Sequence, residues 1–241
     1  MIRVLSTGAY LQPLSDGEPL PALKEALHKA GSQAFRRVDR FIQLALLGSA
    51  RCAAGRSLRT DCGVYLGSGY GPLGENIATQ EQLIREREIP MPFDFINTLG
   101  NTAGFHVAKN FALQSPNVFV SRRGASFEAV LAAAFADLTL GVVTQALVGI
   151  VEEATLPLAE HRRRLGLVDG VPLAEGSHWL LLEAGADGAR ALSLQRHAEL
   201  AAVEGALKTL AREGDRLCCA QAMESSAAKR LRSGFPGAIL G

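Results

Sequence analysis

The sequence predicts an α/β layered fold, with a mixed central sheet flanked by helices. Three observations lead there. Short β-branched or apolar runs alternate with helical patterns down the chain. The chain is long enough, at 241 residues, for one large domain or two closely packed halves. Its composition is 48% hydrophobic and 20% charged, which is that of a globular protein with a large core.

The elements follow in order. Ile2 to Gly8 reads as a short first strand. Leu11 to Pro21 is turn-rich, with Pro13, Asp16-Gly17, Pro19 and Pro21. Leu23 to Lys29 suits a short helix stopped by Gly31. Asp39 to Ala54 is a longer one, apolar on the Phe41–Leu44–Leu47–Gly48 side and followed by Gly55. Cys62 to Gly67 is a buried strand, and Gly69-Tyr70-Gly71-Pro72 forces a turn after it. Glu75 to Glu88 is a polar helix closed by Pro90 and Pro92, and Thr102 to Phe111 is helical.

Asn117 to Ser121 is a strand of β-branched and aromatic residues. Phe127 to Leu140 is apolar nearly all round and is expected to be buried, with Gly141 ending it. Gln145 to Val151 is another strand, and Leu156 to Leu167 a polar, exposed connection. Ser177 to Leu182 and Ala191 to Gln195 read as two strands pairing as a hairpin around Gly185–Gly188. An amphipathic helix, Ala198 to Glu213, and a strand, Arg216 to Ala222, come last.

Bulk properties narrow the function. The net charge is +1, so no global field attracts nucleic acid. The runs His161–Arg164 and Lys229–Arg232 suit solvated faces or docking patches. The four cysteines, at 52, 62, 218 and 219, fit neither zinc spacing nor a disulfide framework. No signal peptide and no apolar run of about 18–20 residues is visible. These readings favour a reduced, cytoplasmic setting, with no membrane, metal or cofactor.

Three patterns invite a search for chemistry. Gly67-Ser68-Gly69-Tyr70-Gly71-Pro72 follows a strand, but Pro72 removes a donor that a phosphate loop would need. It reads as a structural turn. Ser121-Arg122-Arg123-Gly124-Ala125-Ser126 joins a strand to an apolar helix, the layout of a nucleophile elbow. Its tip is Gly124, which has no side chain. Ser126 is either a helix cap or a nucleophile in search of a base. The histidines at 28, 106, 161, 178 and 197 are isolated and form no paired motif. Glu152-Glu153 ends a strand, where a carboxylate can hold neighbouring loops by hydrogen bonds, and Glu128 complements a helix N-terminus.

The order of segments resembles the N-terminal half of the β-ketoacyl synthases over roughly residues 1–200. Phe35-Arg36-Arg37-Val38-Asp39-Arg40-Phe41 resembles the stretch before that family's first long helix. Gly67–Gly71 is similar to its glycine turn, and Asn97-Thr98-Leu99-Gly100-Asn101 stands where the family has a Pro-Asn segment. Asn117–Ser121 resembles the strand leading to the nucleophile. Gly141–Glu153 resembles the strand ending in glycines and a glutamate, and Glu175–Ser177 with Leu180–Glu183 the following Gly-Glu-Gly strand.

The resemblance implies a thiolase-like layered α/β fold, with the first half complete and the second truncated. It implies a ketosynthase-like domain over 1–200 and a remnant of the second half over 201–241. Two departures bear on function. Where the family carries its cysteine, this chain has Gly124. Where a His-Gly-Thr motif is expected, Met223-Glu224-Ser225-Ser226 stands. Such a chain resembles the chain-length-factor subunits of type II systems, above all the short ones of aryl polyene synthesis.

That likeness implies a non-catalytic subunit paired with an active β-ketoacyl-ACP synthase, with acyl carrier protein engaged indirectly and a homodimer possible when alone. The implied dimer interface is Asn117, Val118, Phe119, Val120, Ser121, Arg122 and Arg123. At least one of the two arginines is expected to pair with a carboxylate or carbonyl, or else both reach solvent at the rim. The implied tunnel wall is Leu73, Ile77, Thr79, Phe95 and Phe105. Alternatives are a self-associating acyl- or carrier-protein-binding module and a Ser126-dependent hydrolase.

Overall fold

The computed structural model describes residues 1–30, 35, 37–167, 171–185, 191, 192, 194, 202 and 205. Two compact units divide the chain, Met1–Leu192 and Ser193–Gly241. The expected helix Ala198–Glu213, strand Arg216–Ala222, residues Cys218, Cys219 and His197, and the 201–241 remnant fall almost wholly outside the described residues.

The first unit is built on a mixed six-stranded sheet. Strand β1 spans Ile2–Leu14. It runs well past the expected end at Gly8, through the turn-rich stretch. Pro13 is tolerated there because beyond Arg3 the strand has a described neighbour on one side only. Helix α1, Lys24–Lys29, leads to α2, Arg40–Ala53. Asp39 caps α2 by accepting from the Ile42 N–H at 2.9 Å.

Strand β2, Cys62–Gly67, is buried throughout. Helix α3, Leu73–Glu81, passes into a π-helical turn, Gln82–Glu86, that ends at left-handed Arg87. Helix α4, Pro92–Asn97, was not expected. Pro92 stands in its first turn, where a missing N–H has no intrahelical partner to lose, so the proline that looked like a stop is a start. Helix α5 is Asn101–Asn110 and strand β3 is Asn117–Val120. A 3₁₀ turn, Arg123–Ala125, feeds helix α6, Ser126–Leu140, which left-handed Gly141 terminates. Strand β4, Gln145–Glu152, is followed by α7, Leu158–Leu165. Strands β5, Leu173–Ala184, and β6, Ala191–Leu192, complete the unit.

The sheet order is β3-β2-β4-β5-β1-β6. Strand β2 is parallel to β3 and β4, while β5 is antiparallel to both β4 and β1. The expected β5–β6 hairpin does not form, because β1 lies between the two strands. Pairing with β1 satisfies β5 along its whole length, from Leu173 to Ala184. A hairpin with the two residues of β6 would satisfy almost none of it.

Helix α2 covers one face of the sheet, with Phe41, Leu44 and Leu47 meeting Val64, Leu147, Trp179 and Leu181. Gly48 permits this closeness. A Cβ there would stand 2.0 Å from Ser177 Oγ and 2.7 Å from the Trp179 ring. Helix α6 covers the other face, placing Val130, Leu131, Ala134 and Leu138 on Tyr65, Ala146, Val148 and Leu182. The Tyr65 hydroxyl donates to Asp137 at 2.6 Å.

Two expectations need correcting. Helix α6 is not buried all round: Leu140 is exposed and only one stripe is covered. Apolar residues on every side leave its periodicity too weak to mark which stripe faces the sheet. The stretch Leu156–Leu167 is not a wholly exposed connection either. It forms α7, whose Leu158 and His161, three residues apart, turn inward; Leu158 packs with Ala154 and Leu173.

Candidate functional site

The elbow between β3 and α6 is the natural place to look for chemistry. It is held from three sides by hydrogen bonds. The Arg122 N–H donates to Ser126 Oγ at 2.8 Å. The Ser126 hydroxyl faces the Ser68 and Arg123 carbonyls at 2.9 and 2.8 Å. Ser126 is 1% exposed. It ties the elbow to the glycine turn and is the first residue of α6.

The glycine turn is braced in the same way. Ser68 Oγ accepts from the N–H groups of Gly71 at 2.8 Å and Tyr70 at 3.3 Å. It donates to Glu152 at 3.2 Å, and the Gly69 N–H donates to the same carboxylate. Ser121 Oγ donates to the Gly69 carbonyl at 3.2 Å. Gly67 allows the two segments to touch, since a Cβ there would lie 3.0 Å from the Ser126 carbonyl oxygen. The turn is thus a structural joint between β2, β4 and the elbow.

The side chains at the tip face outward. Arg122, Arg123, Gly124 and Ala125 are all exposed. Arg123 adopts φ +53°, and its guanidinium stacks over Tyr70 at 5.0 Å. Among the described residues neither arginine makes an ion pair.

No described thiol serves the elbow. Cys52 is buried on α2 and bonds with Ser6, and Cys62 is buried in β2. Burial pushes both thiols up, Cys62 to about 12. The described histidines are elsewhere too. His106 sits on α5 between the rings of Phe35 and Phe105. His161 lies against Thr155, and His178 is on the exposed side of β5. Among the described residues no group of three or more His, Cys, Asp or Glu is placed to hold a metal, and no helix is long and apolar enough to cross a membrane.

The end of β4 carries two buried carboxylates with separate tasks. Glu152 holds the glycine turn, and burial raises its pKa against the pull of the Gly69 N–H. Glu153 accepts from the Gly74 N–H at 2.7 Å and so anchors the start of α3. Burial pushes it up to about 8, the Gly74 N–H opposes this, and Asp39, Glu175 and Glu75 add like charge. Nearby, the fully buried Glu175 is neutralised by a two-pronged pair with Arg40. The adjacent Glu-Glu pair signalled loop bracing in the sequence. The long-range bonds of Ser126 to Ser68, Ser68 to Glu152 and Arg40 to Glu175 carried no comparable signal, because those partners lie 58 to 135 residues away.

Of the residues expected to wall a tunnel, Leu73 and Ile77 are half-buried on α3. Thr79 is 7% exposed, and its hydroxyl has no partner among the described residues. Phe95 and Phe105 stand out from α4 and α5 at 59% and 55% exposure. Ile84, Ile89, Met91 and Phe93 are exposed as well. Strand β3 ends the sheet, with β2 its one partner strand among the described residues.

Solved structures give the class of the fold. The ishigamide ketosynthase/chain length factor superposes with a TM-score of 0.68 at 18% identity, over 97% of this chain and 80% of that one. A ketosynthase (ApeO) in complex with its chain length factor (ApeC) from Xenorhabdus doucetiae aligns at TM-score 0.50 and 16% identity, over 76% of this chain and 80% of that one. A β-ketoacyl synthase from Burkholderia phymatum STM815 aligns at 0.57 and 18%, over 76% of this chain and 59% of that one. The fold is the thiolase-like α/β fold of the ketosynthases. No curated protein matches the sequence significantly. The model of the β-ketoacyl synthase N-terminal domain matches residues 20–163. The chain belongs to that family.

Proposed function

We propose that this chain is a non-catalytic ketosynthase-like subunit, a chain-length factor, that pairs with an active β-ketoacyl-ACP synthase and shapes its acyl tunnel. The carrying observation is the elbow itself. Its turn presents Gly124 at the position that the resemblance assigns to the nucleophile, and glycine has no atom with which to form a thioester. The bonds made by Ser126 support the same reading against a hydrolase. Its hydroxyl is buried among backbone groups, and none of the described histidines is among its partners.

A partner is supported by the unfinished side of the unit. A β3 edge with no further strand among the described residues suits continuation of the sheet into a second subunit, and the exposed apolar side chains of the unit suit a covered surface. Asn117 to Ser121 would pair across that interface, with Arg122 and Arg123 at its rim. Obligate interfaces of this type bury more than about 2,000 Å². Carrier protein would be engaged through the partner, whose cysteine and histidines would perform the condensation. Leu73, Ile77, Thr79, Phe95 and Phe105 would border the tunnel. The pathway would be of the polyene, polyketide or fatty-acid-like type.

Co-expression with a full-length ketosynthase from the same operon, followed by sizing, tests the pairing. A co-eluting heterodimer is expected; two separate peaks would reject it. Arg123→Glu should weaken the pair, and unchanged binding would remove Arg123 from the interface. In the active pair, Thr79→Phe should shorten the products, and an unaltered product range would remove Thr79 from the wall. A self-associating acyl-binding module predicts instead a homodimer that persists in the presence of the ketosynthase.

A further inference from the structure

A cavity of about 410 Å³ opens where α2 begins and where α3 and α4 meet it. Its acidic side is formed by Asp39, Glu75 and Asp94, and its apolar side by Met91 and Phe93. Arg37 is the one described cation in the lining, and it is already engaged. Its guanidinium lies over the Phe93 ring at 5.2 Å and makes no ion pair with the three carboxylates. The other cation at this end of α2, Arg40, is held by Glu175.

The three acids are short of partners. Asp39 is 8% exposed and lines the cavity. One of its oxygens accepts from the Ile42 N–H, and the other, Oδ2, has no partner among the described residues. Glu75 and Asp94 make no hydrogen bond or ion pair among those residues. Asp39 is buried and Glu75 and Asp94 are half-buried; like charges crowded together in such a setting are costly, and a cation supplied from outside relieves that cost. The strain is visible in the carboxyls. Burial raises Asp39 to about 7, with Glu75 adding to the rise against the Ile42 N–H. Burial and then Asp94 raise Glu75.

The cavity also has a position. Met91 and Phe93 line it and are themselves exposed, as is Phe95 two residues further along α4. An alkyl stem can lie along such a wall while its charged head reaches the acids.

We infer that this cavity receives a lysine or arginine side chain of the partner subunit, its stem on Met91 and Phe93 and its cationic head among Asp39, Glu75 and Asp94. The inference rests on the pairing proposed above. It adds an electrostatic anchor that selects the partner and fixes its register on the apolar face.

The test uses the full chain bound to its ketosynthase, with dissociation constants measured at low and at high salt. The double variant Glu75→Gln/Asp94→Asn is compared with Phe95→Ser, which reads the apolar face alone. Neutralising the acids should weaken the complex about 10- to 100-fold at low salt. It should also flatten the salt dependence, whereas Phe95→Ser should weaken binding alike at both salts. Thermal unfolding of the free variant should show no loss of stability, since like-charge repulsion is removed. An unchanged constant and salt slope in the acid variant, with Phe95→Ser still weakening the complex, would overturn the anchor and leave the pairing intact. Equal weakening at both salts would also overturn it. If the wild-type chain forms no complex at all, the pairing fails and the anchor with it.

Discussion

The two ends of the sheet are built to different standards. At one end β1 and β5 pair from Ile2–Ala184 to Leu14–Leu173, with Trp179 and Leu181 sealed beneath α2. At the other, β3 pairs four residues with β2 alone among the described strands, and elsewhere in the unit Ile84, Met91, Phe93 and Phe95 face solvent. Every large side chain under α2 is spent on the chain's own stability. The exposed side chains Ile84, Met91, Phe93 and Phe95 are not. The elbow lies between the two regimes: its inner bonds are internal, and its tip is left open.

That contrast can be broken by experiment. The largest effect should come from Trp179→Ala, which empties a core position and should cost about 3–5 kcal/mol in urea unfolding. A loss under 1 kcal/mol would mean that the α2 face is not the stabilising core. Ser126→Ala should cost about 1–3 kcal/mol, because the Arg122 N–H and two carbonyls lose their shared partner. The same variant separates a brace from a nucleophile. A folded Ser126→Ala protein that loses an esterase activity present in the wild type would revive the hydrolase reading.

The third effect depends on pH. Glu153 moves from about 4.5 unfolded to about 8 folded, so the folded state binds the proton more tightly. Its contribution is full below about pH 4.5 and is lost as pH rises towards about 8. Glu153→Gln keeps the acceptor for the Gly74 N–H without the charge. It should therefore be more stable than wild type above pH 8 and should flatten the loss between pH 5 and 8. A wild-type melting temperature that does not fall across that window would show Glu153 to be ionised at no cost. The smallest effect on stability should come from Phe95→Ser, below about 0.5 kcal/mol in the free chain. A larger loss would mean that this surface already serves the monomer.

Much of the sheet was legible from local pattern. Strands β2 and β4 are continuous apolar runs, as strands covered on both faces must be, and their limits could be read within a residue or two. Asp39 before an apolar-periodic run marked the start of α2, and Gly141 the end of α6. Legibility failed where a residue's effect depended on what lay beside it. Pro13 and Pro92 were read as breaks, yet one sits on a strand side without a partner and the other opens a helix. The β5–β6 hairpin was inferred from closeness in sequence, and β1, from the far end of the unit, took the place between them.

The candidate site divides in the same way. The glycine tip, the missing side chain at residue 124 and the paired glutamates at the end of β4 are properties of the sequence, since they concern which atoms exist. Tertiary structure alone decided that Ser126 is a buried brace, that Arg123 rests on Tyr70, and that Asp39, Glu75 and Asp94 share one cavity. Those outcomes are set by long-range packing, which brings together groups that local pattern treats as strangers and determines which of them are left without a partner.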